Sequence, residues 1–456
     1  MIILRPYQVQ TIAKVREEIR KGNKNVLLVA PVGSGKTAMA TFMMKEAKAK
    51  ALTIWFVVHK RELLIQACRS IERMGLTAGL VSAGFPLSPR ENIQVVSIGS
   101  LKSRKDKIKA PDMLIYDEAH HCGADTWVKM FNEYNGKFQI GLTATPWRLD
   151  RKGLGRYFTA MVEAPEVEEL ISMGNLSKYK AYAQELADTS KTKTSMGDFD
   201  LKDFETSATK TFTSDVVQEY MRHVNGKRAI LFASSLEYSR LFVEKFNANG
   251  IPAAHLDGEM SNTDRDKIVR QLESGKIKVL CNFGIVTEGF DVPAVEAVIL
   301  ARPTMSLSLY IQMVGRALRP SPDKEHAVIL DHVGNTVRHG LIDEKRIWTL
   351  TDREKKKNKS DALIAVKVCK SCFAANRSFN RFCEFCGFEF EKKSAVEIKH
   401  DDAQLVEVNK KALERSRKKE QAMAQTLEEL IALGKTRGYS VGWAHNIFKA
   451  RMNKRR

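Results

Sequence analysis

Two short stretches carry residue types that can do chemistry together. The octapeptide APVGSGKT spans residues 30–37, and DEAH follows at 117–120. Gly33 and Gly35, flanking Ser34, free the backbone to wrap a phosphate chain with its N–H groups. Lys36 supplies a cation for the β and γ phosphates, and Thr37 a hydroxyl for Mg²⁺. Ala30 stands where the strict pattern has glycine. Asp117 is placed to hold Mg²⁺ through water, Glu118 to orient and deprotonate an attacking water, and His120 to link this site to the later TAT (143–145). Read alone, Asp117 and Glu118 could equally be an acidic helix N-cap. Paired with the glycine loop they point to hydrolysis of ATP.

These residues must be positioned by strands. NVLLVA leads into the glycine loop and MLIY into DEAH, while TIWFVV, IQVVSI and QIGLTAT complete a first set. Short, β-branched apolar runs that end in polar loops suit buried parallel strands. Function in such sheets gathers beyond the carboxyl ends of the strands. RAILFAS, PAAHLD, IKVLCNF, AVILAR and HAVILDH form a second set from about residue 211. Two α/β domains are expected.

The chain has 456 residues, 43% of them hydrophobic, and a formal net charge of +20. A surface this basic attracts polyanions and binds them in a salt-dependent way. Residues 391–456 hold 16 basic against 9 acidic residues, so +7 of the excess sits there. No apolar run approaches the roughly 20 residues of a membrane helix, and MIILRPYQ lacks signal-peptide regions. A cytoplasmic protein with no membrane partner is expected.

Four of the seven cysteines cluster as two CxxC pairs, Cys369–Cys372 and Cys383–Cys386, with ten residues between the pairs. Four thiolates at this spacing suit a closed tetrahedral Zn²⁺ site; a redox pair is the other reading. Phe379, Phe382 and Phe385 alternate with Arg377 and Arg381 there. They suit either base stacking with phosphate contact or the core of a very small domain. Cys68, Cys122 and Cys281 are expected to be structural.

In order along residues 1 to about 345, further segments resemble the motifs of superfamily-two DEAD/DEAH-box helicases and translocases. LRPYQVQ (4–10) resembles the Q motif, VVHKREL (57–63) motif Ia, VVSIGSL (95–101) motif Ib and GLTATP (141–146) motif III. LFASS (231–235) resembles motif IV, TEGFDVP (287–293) motif V and QMVGRALRP (312–320) motif VI. The resemblance implies tandem RecA-like parallel-sheet domains with ATP in the cleft between them. It implies that Gln8 reads the adenine edge with Arg5 or Tyr7 beside the base, and that Gly289 and Asp291 lie on the nucleotide side. Gln312, Arg316 and Arg319, at i, i+4, i+7 spacing, would share one helix face. The two arginines would then reach the γ-phosphate as arginine fingers. Arg61, Thr143, Ser234 and Thr287 fall in motifs that touch the sugar-phosphate backbone or link it to ATP.

The cysteine module and the tail LGKTRGYSVGWAHNIFKAR (433–451) narrow the resemblance to the RadD-like branch of bacterial and phage DNA-repair ATPases, as do GLTATPWRLDRKGLGRYF and LDHVGNTVRHG. That implies a DNA helicase or translocase on single-stranded or branched DNA, with repair or single-strand-binding proteins as partners. No strand-separating wedge is identifiable. An RNA helicase and a non-catalytic adaptor are the rival classes. The expected organisation is a first RecA-like domain over 1–175, a linker or excursion over 176–210 and a second RecA-like domain over 211–350. A charged linker (351–364), a zinc module (365–392) and a basic helical tail (393–456) follow.

Overall fold

The computed structural model describes residues 3–59, 61–122, 125–147, 152–183, 194–195, 198–207, 212–286, 295–322, 324–352, 366–368, 375–377, 381–382, 387–390, 406–407 and 418–454. The expected strands of the first set all form. β1 (Asn25–Val29), β2 (Ile54–Val58), β3 (Gly79–Val81), β4 (Ile93–Ser97), β5 (Met113–Tyr116), β6 (Phe138–Thr143) and β7 (Ala160–Glu163) make one parallel sheet in the order β3-β4-β2-β5-β6-β1-β7. Both faces are covered, which is why IWFVV can be apolar at every position: all five residues are buried. β6 lies between β1 and β5, with Val29 opposite Thr143 and Tyr116 opposite Gly141. The loops after β1, β5 and β6 therefore emerge side by side.

A second sheet is built on β8 (Tyr179–Ala183), followed by a short antiparallel hairpin of β9 (Thr194–Ser195) and β10 (Asp198–Phe199). The remaining strands are β11 (Ala229–Ala233), β12 (Ala253–Leu256), β13 (Val279–Asn282), β14 (Ala297–Ala301) and β15 (Ala327–Asp331), then β16 (Val366–Val368), β17 (Ala375–Arg377) and β18 (Val406–Glu407). The sheet order is β12-β13-β11-β14-β15-β8-β18, parallel throughout except for β18, while β16 and β17 pair with each other.

The stretch expected as a linker over 176–210 is partly structured. β8 is a full strand of the second sheet, paired with β15. Leu201–Ser207 is a helix, and Asp198 accepts from Thr304 Oγ1 at 2.7 Å and from the Met305 N–H at 2.6 Å. Its polar composition reads as solvent-exposed chain. The carboxylates of Asp198 and Glu205 are instead spent on hydrogen bonds to the second sheet's loops.

The charged linker also starts later than residue 351. Trp147 stacks edge-on with Trp348 at 4.9 Å, and Trp147 Nε1 donates to the Thr349 carbonyl at 3.1 Å. The Gly155 N–H donates to the Leu350 carbonyl at 2.8 Å, and the Gly153 N–H to Asp352 Oδ1 at 2.9 Å. Residues 348–352 thus strap back onto the first unit. Gly153 is glycine for a steric reason, since an added Cβ would lie 2.1 Å from the Leu350 carbonyl oxygen.

Cys122 and Cys281 are buried and Cys68 half-buried, and burial pushes the Cys68 thiol up to about 12, as suits packing rather than reactivity. The four clustered cysteines lie outside the described residues. Beyond them the described residues include the helices Leu427–Arg437 and Val441–Lys454. Among the described residues, no helix is long and apolar enough to cross a membrane.

Candidate active site in the cleft between the two sheets

The glycine loop leaves the end of β1 and enters helix α2 (Lys36–Ala49). Gly33 and Gly35 take φ values of +83° and +82°, a region that side chains disfavour. An added Cβ on Gly35 would come within 2.4 Å of Gln8 Nε2. Gly35 is also the N-cap of α2 and offers no side chain to its first N–H groups. Uncapped N–H groups at a helix start, beneath a glycine loop, suit a phosphate chain. Lys36 folds back over the loop, Nζ donating to the Ala30 carbonyl at 3.2 Å. Thr37 is half-buried at the first turn of α2.

The loop is braced from below. Helix α1 (Pro6–Arg20) starts with proline, and its Gln8 Oε1 accepts the Arg5 N–H at 2.9 Å. Tyr7 Oη and Gln8 Nε2 both donate to the Ser34 carbonyl, at 2.6 and 2.9 Å, and Ser34 Oγ donates to the Pro31 carbonyl at 2.7 Å. Tyr7, Gln8 and Ser34 are all buried. Tyr7 therefore lies under the phosphate loop, and Gln8 ties the loop to α1. Arg5 Nη1 turns to the Asn175 carbonyl at 3.0 Å.

Asp117 sits at the end of β5, buried, with its carboxylate pushed up by burial and by neighbouring Glu118, and partly held down by Lys36. The Thr37 hydroxyl and the Asp117 carboxylate are oxygen donors of the kind that suits a hard divalent cation beside the phosphate loop. Glu118 adopts a left-handed backbone, φ +49°, rare for a non-glycine residue and a form of strain that collects at functional sites. His120 Nδ1 lies 3.3 Å from Glu118 Oε2 and 3.3 Å from Thr143 Oγ1. The Thr143 hydroxyl donates to the Thr145 carbonyl at 2.7 Å, so towards His120 it can only accept, and Nδ1 carries the proton. The expected link from DEAH to TAT is thus a direct contact.

The second unit meets this loop through motif VI. Its helix, Leu307–Gly315, stops before the arginines. Arg316, Ala317 and Leu318 continue as tight turns, their N–H groups reaching the carbonyls three residues back. Gln312, Arg316 and Arg319 are therefore not three residues on one α-helical face. The turn nonetheless brings Arg319 to the phosphate loop of the first unit. Gly315 abuts Val32, leaving no space for a side chain, and Arg319 Cγ lies 3.9 Å from where a Cβ on Gly33 would be. Gln312 and Arg316 are buried.

Between the two faces runs a segment that sequence reasoning missed. Leu176 packs on Gly33, and the Ser177 N–H and Oγ donate to the Leu318 carbonyl at 2.8 Å and the Arg319 carbonyl at 3.3 Å. No periodicity or motif marks it.

Thr143 is fully buried and Ser234 nearly so, with Ser234 Oγ donating to Glu205 Oε1 at 2.5 Å. Neither hydroxyl is open to a nucleic-acid strand in this structure. Thr143 instead serves the link to His120. Arg61 opens the helix Arg61–Arg73, its side chain outside the described residues, as are Thr287, Gly289 and Asp291.

Two parallel-sheet units meeting over a phosphate loop, with Arg319 of one beside Gly33 of the other, define a P-loop motor ATPase. Residues 1–148 match the family model for the type III restriction enzyme res subunit, and residues 213–321 that for the helicase conserved C-terminal domain. A 51.5 kDa protein of a Lactococcus phage is 34% identical over 83% of this chain and 80% of its own length. A Saccharomyces cerevisiae protein assigned as an ATP-dependent helicase, IRC3, is 27% identical over 73% of this chain. The chain spans only 52% of that yeast protein's length. A solved fragment assigned as the HsdR subunit of a Vibrio vulnificus type I restriction enzyme shares the fold, with a TM-score of 0.58 at 20% identity over 74% of this chain and 65% of that one. The chain belongs to the superfamily-two helicases, and is an ATP-hydrolysing, nucleic-acid-remodelling enzyme of that class.

Proposed function

We propose that this protein is a DNA-directed ATPase of the RadD-like branch that remodels single-stranded or branched DNA during repair or recombination. The observation that carries the motor reading is the seat of motif VI on the phosphate loop, Gly315 on Val32 and Arg319 beside Gly33. It makes hydrolysis depend on the two sheets being closed on each other. In this reading Lys36 and the loop N–H groups bind the phosphates, and Glu118, steadied by His120, takes the proton of the attacking water. Arg316 and Arg319 offset charge developing on the γ-phosphate, together worth roughly 10³ or more in rate. Thr37 and Asp117 would hold Mg²⁺, which when bound neutralises phosphate charge. Gln8 stays assigned to adenine through the remaining acceptor capacity of Oε1, since its Nε2 already reaches the Ser34 carbonyl and Tyr7 Oη.

DNA is favoured over RNA by the restriction-enzyme model over residues 1–148 and by the RadD-like resemblance of the paired CxxC motifs and tail, while the +20 charge suits either polyanion. Cys369, Cys372, Cys383 and Cys386 are assigned to one structural Zn²⁺. Its module and the basic tail are placed on the DNA path, along with Arg61 and Thr287. ATP turnover measured with single-stranded DNA, duplex DNA and RNA tests the assignment. Stimulation by DNA above that by RNA is expected. Equal or greater stimulation by RNA makes this an RNA helicase, and no turnover with any of them makes it an adaptor.

A further inference from the structure

Lys324 lies outside every motif, five residues after Arg319, in a stretch whose sequence (RPSPDKEH) reads as a charged surface turn. Its side chain does not point to water. Nζ donates to the Arg319 carbonyl at 3.0 Å, to the Val295 carbonyl at 2.7 Å and to the Ala317 carbonyl. All three ammonium donors are thereby spent on backbone. Ala317 and Arg319 belong to the turn that follows the motif VI helix, where carbonyls lack helical partners. Val295 lies two residues beyond the motif V segment. One ammonium group therefore ties the exit of motif V to the turn that presents the arginines. From the opposite side, Ser177 Oγ reaches the same Arg319 carbonyl.

We infer that Lys324 is a positioning residue for hydrolysis, holding the Arg319 backbone so that the side chain meets the phosphate loop at Gly33. The inference rests on the proposed role of Arg319 as an arginine finger. The geometric demand on such a group is steep, since misplacement by about 1 Å can cost 10²-fold in rate. The turn's own N–H groups hold the carbonyls of residues 313–315, so the carbonyls of Ala317 and Arg319 are held from outside the turn, by Lys324 and, at Arg319, by Ser177. Burial also pulls the Lys324 ammonium down to about 8. The charged groups facing it are Glu296, which opposes that shift, and Arg228, which adds to it and pairs with Glu296 at 2.8 Å. Above this pH the amine keeps two N–H donors for three carbonyls, so the clamp loosens as pH rises.

The test uses the full chain and ATP turnover at saturating nucleotide. Lys324→Met keeps the aliphatic stem and removes all three donors. It is expected to lower kcat roughly ten- to hundred-fold, with KM for ATP changed by less than about threefold. In an Arg319→Ala background the same substitution should lower kcat no further, because its effect passes through Arg319. Lys324→Arg keeps the charge and the donors, so it should retain turnover and flatten the alkaline fall of the parent profile. Parent-like kcat in Lys324→Met, an undiminished effect in the Arg319→Ala background, or an unchanged alkaline fall in Lys324→Arg would each overturn the inference. The Lys324→Arg profile decides the matter even if Lys324→Met does not fold. Parent-like turnover by Arg319→Ala would overturn the finger reading, and this inference with it. A loss in Arg319→Ala beside a parent-like Lys324→Met overturns this inference alone.

Discussion

Ser234 hands its hydroxyl to Glu205 across 2.5 Å, tying the end of β11 to the helix Leu201–Ser207. The hydroxyl that the motif IV resemblance would turn towards a nucleic-acid strand is thereby occupied by a carboxylate of the same chain. Glu205→Gln should raise affinity for a single-stranded oligonucleotide about two- to fivefold at low salt, with the gain shrinking as salt screens it. Fluorescence anisotropy over a salt series measures this. Unchanged affinity at low salt would show that this helix lies off the DNA path.

Lys36→Ala and Glu118→Gln should both abolish turnover, for separate reasons. Lys36 lies over the phosphate loop, so its loss weakens nucleotide binding. Glu118→Gln keeps side-chain shape but cannot take a proton, so binding should survive while turnover falls roughly 10²- to 10⁴-fold. Nucleotide binding and single-turnover hydrolysis, measured side by side, separate the two. Near-parent hydrolysis by Glu118→Gln would remove it from its assigned role.

Arg316→Ala and Arg319→Ala act on the transition state and should lower kcat more than nucleotide affinity, each by up to about 10³-fold. Their seats differ: Arg316 is buried, whereas Arg319 is half-buried against the glycine loop. Arg316→Ala should therefore also lower the melting temperature, while Arg319→Ala should not. Loss of nucleotide binding with an undiminished saturated rate would contradict the cleft arrangement.

The strands and the glycine loop were legible because their signals are local. A run such as IWFVV is apolar at every position because both faces of its strand are covered, and APVGSGKT needs its glycines wherever it occurs. What escaped the sequence is set by contacts between distant segments. Ser177 and Lys324 matter through carbonyls of residues 317–319, and neither has a pattern to mark it. The helix face expected for Gln312, Arg316 and Arg319 failed because spacing alone does not reveal where an α-helix tightens into turns. The excursion read as a linker because Asp198 and Glu205 look like solvated charges until their partners, Thr304 and Ser234, are known.

The last prediction separates the motor from the cysteine module. Residues 348–352 are held to the first unit by Trp147, Gly153 and Gly155. A chain cut after Asp352 keeps this strap, and one cut after Arg346 loses it. The longer truncation should retain basal ATP turnover. The shorter should melt earlier, because it loses the Trp147–Trp348 contact and leaves the Gly153 and Gly155 N–H groups without their present acceptors. In the full chain, elemental analysis should find about one zinc per molecule. Cys383→Ser should lower both metal content and DNA affinity, since metal binding and folding of so small a module are one event. Basal turnover should stay, because the ATP site is built from residues well before the cysteines. If the truncation after Asp352 also lost basal turnover, the module would be a strut between the sheets. If zinc were lost with DNA affinity unchanged, the module would have no place on the DNA path.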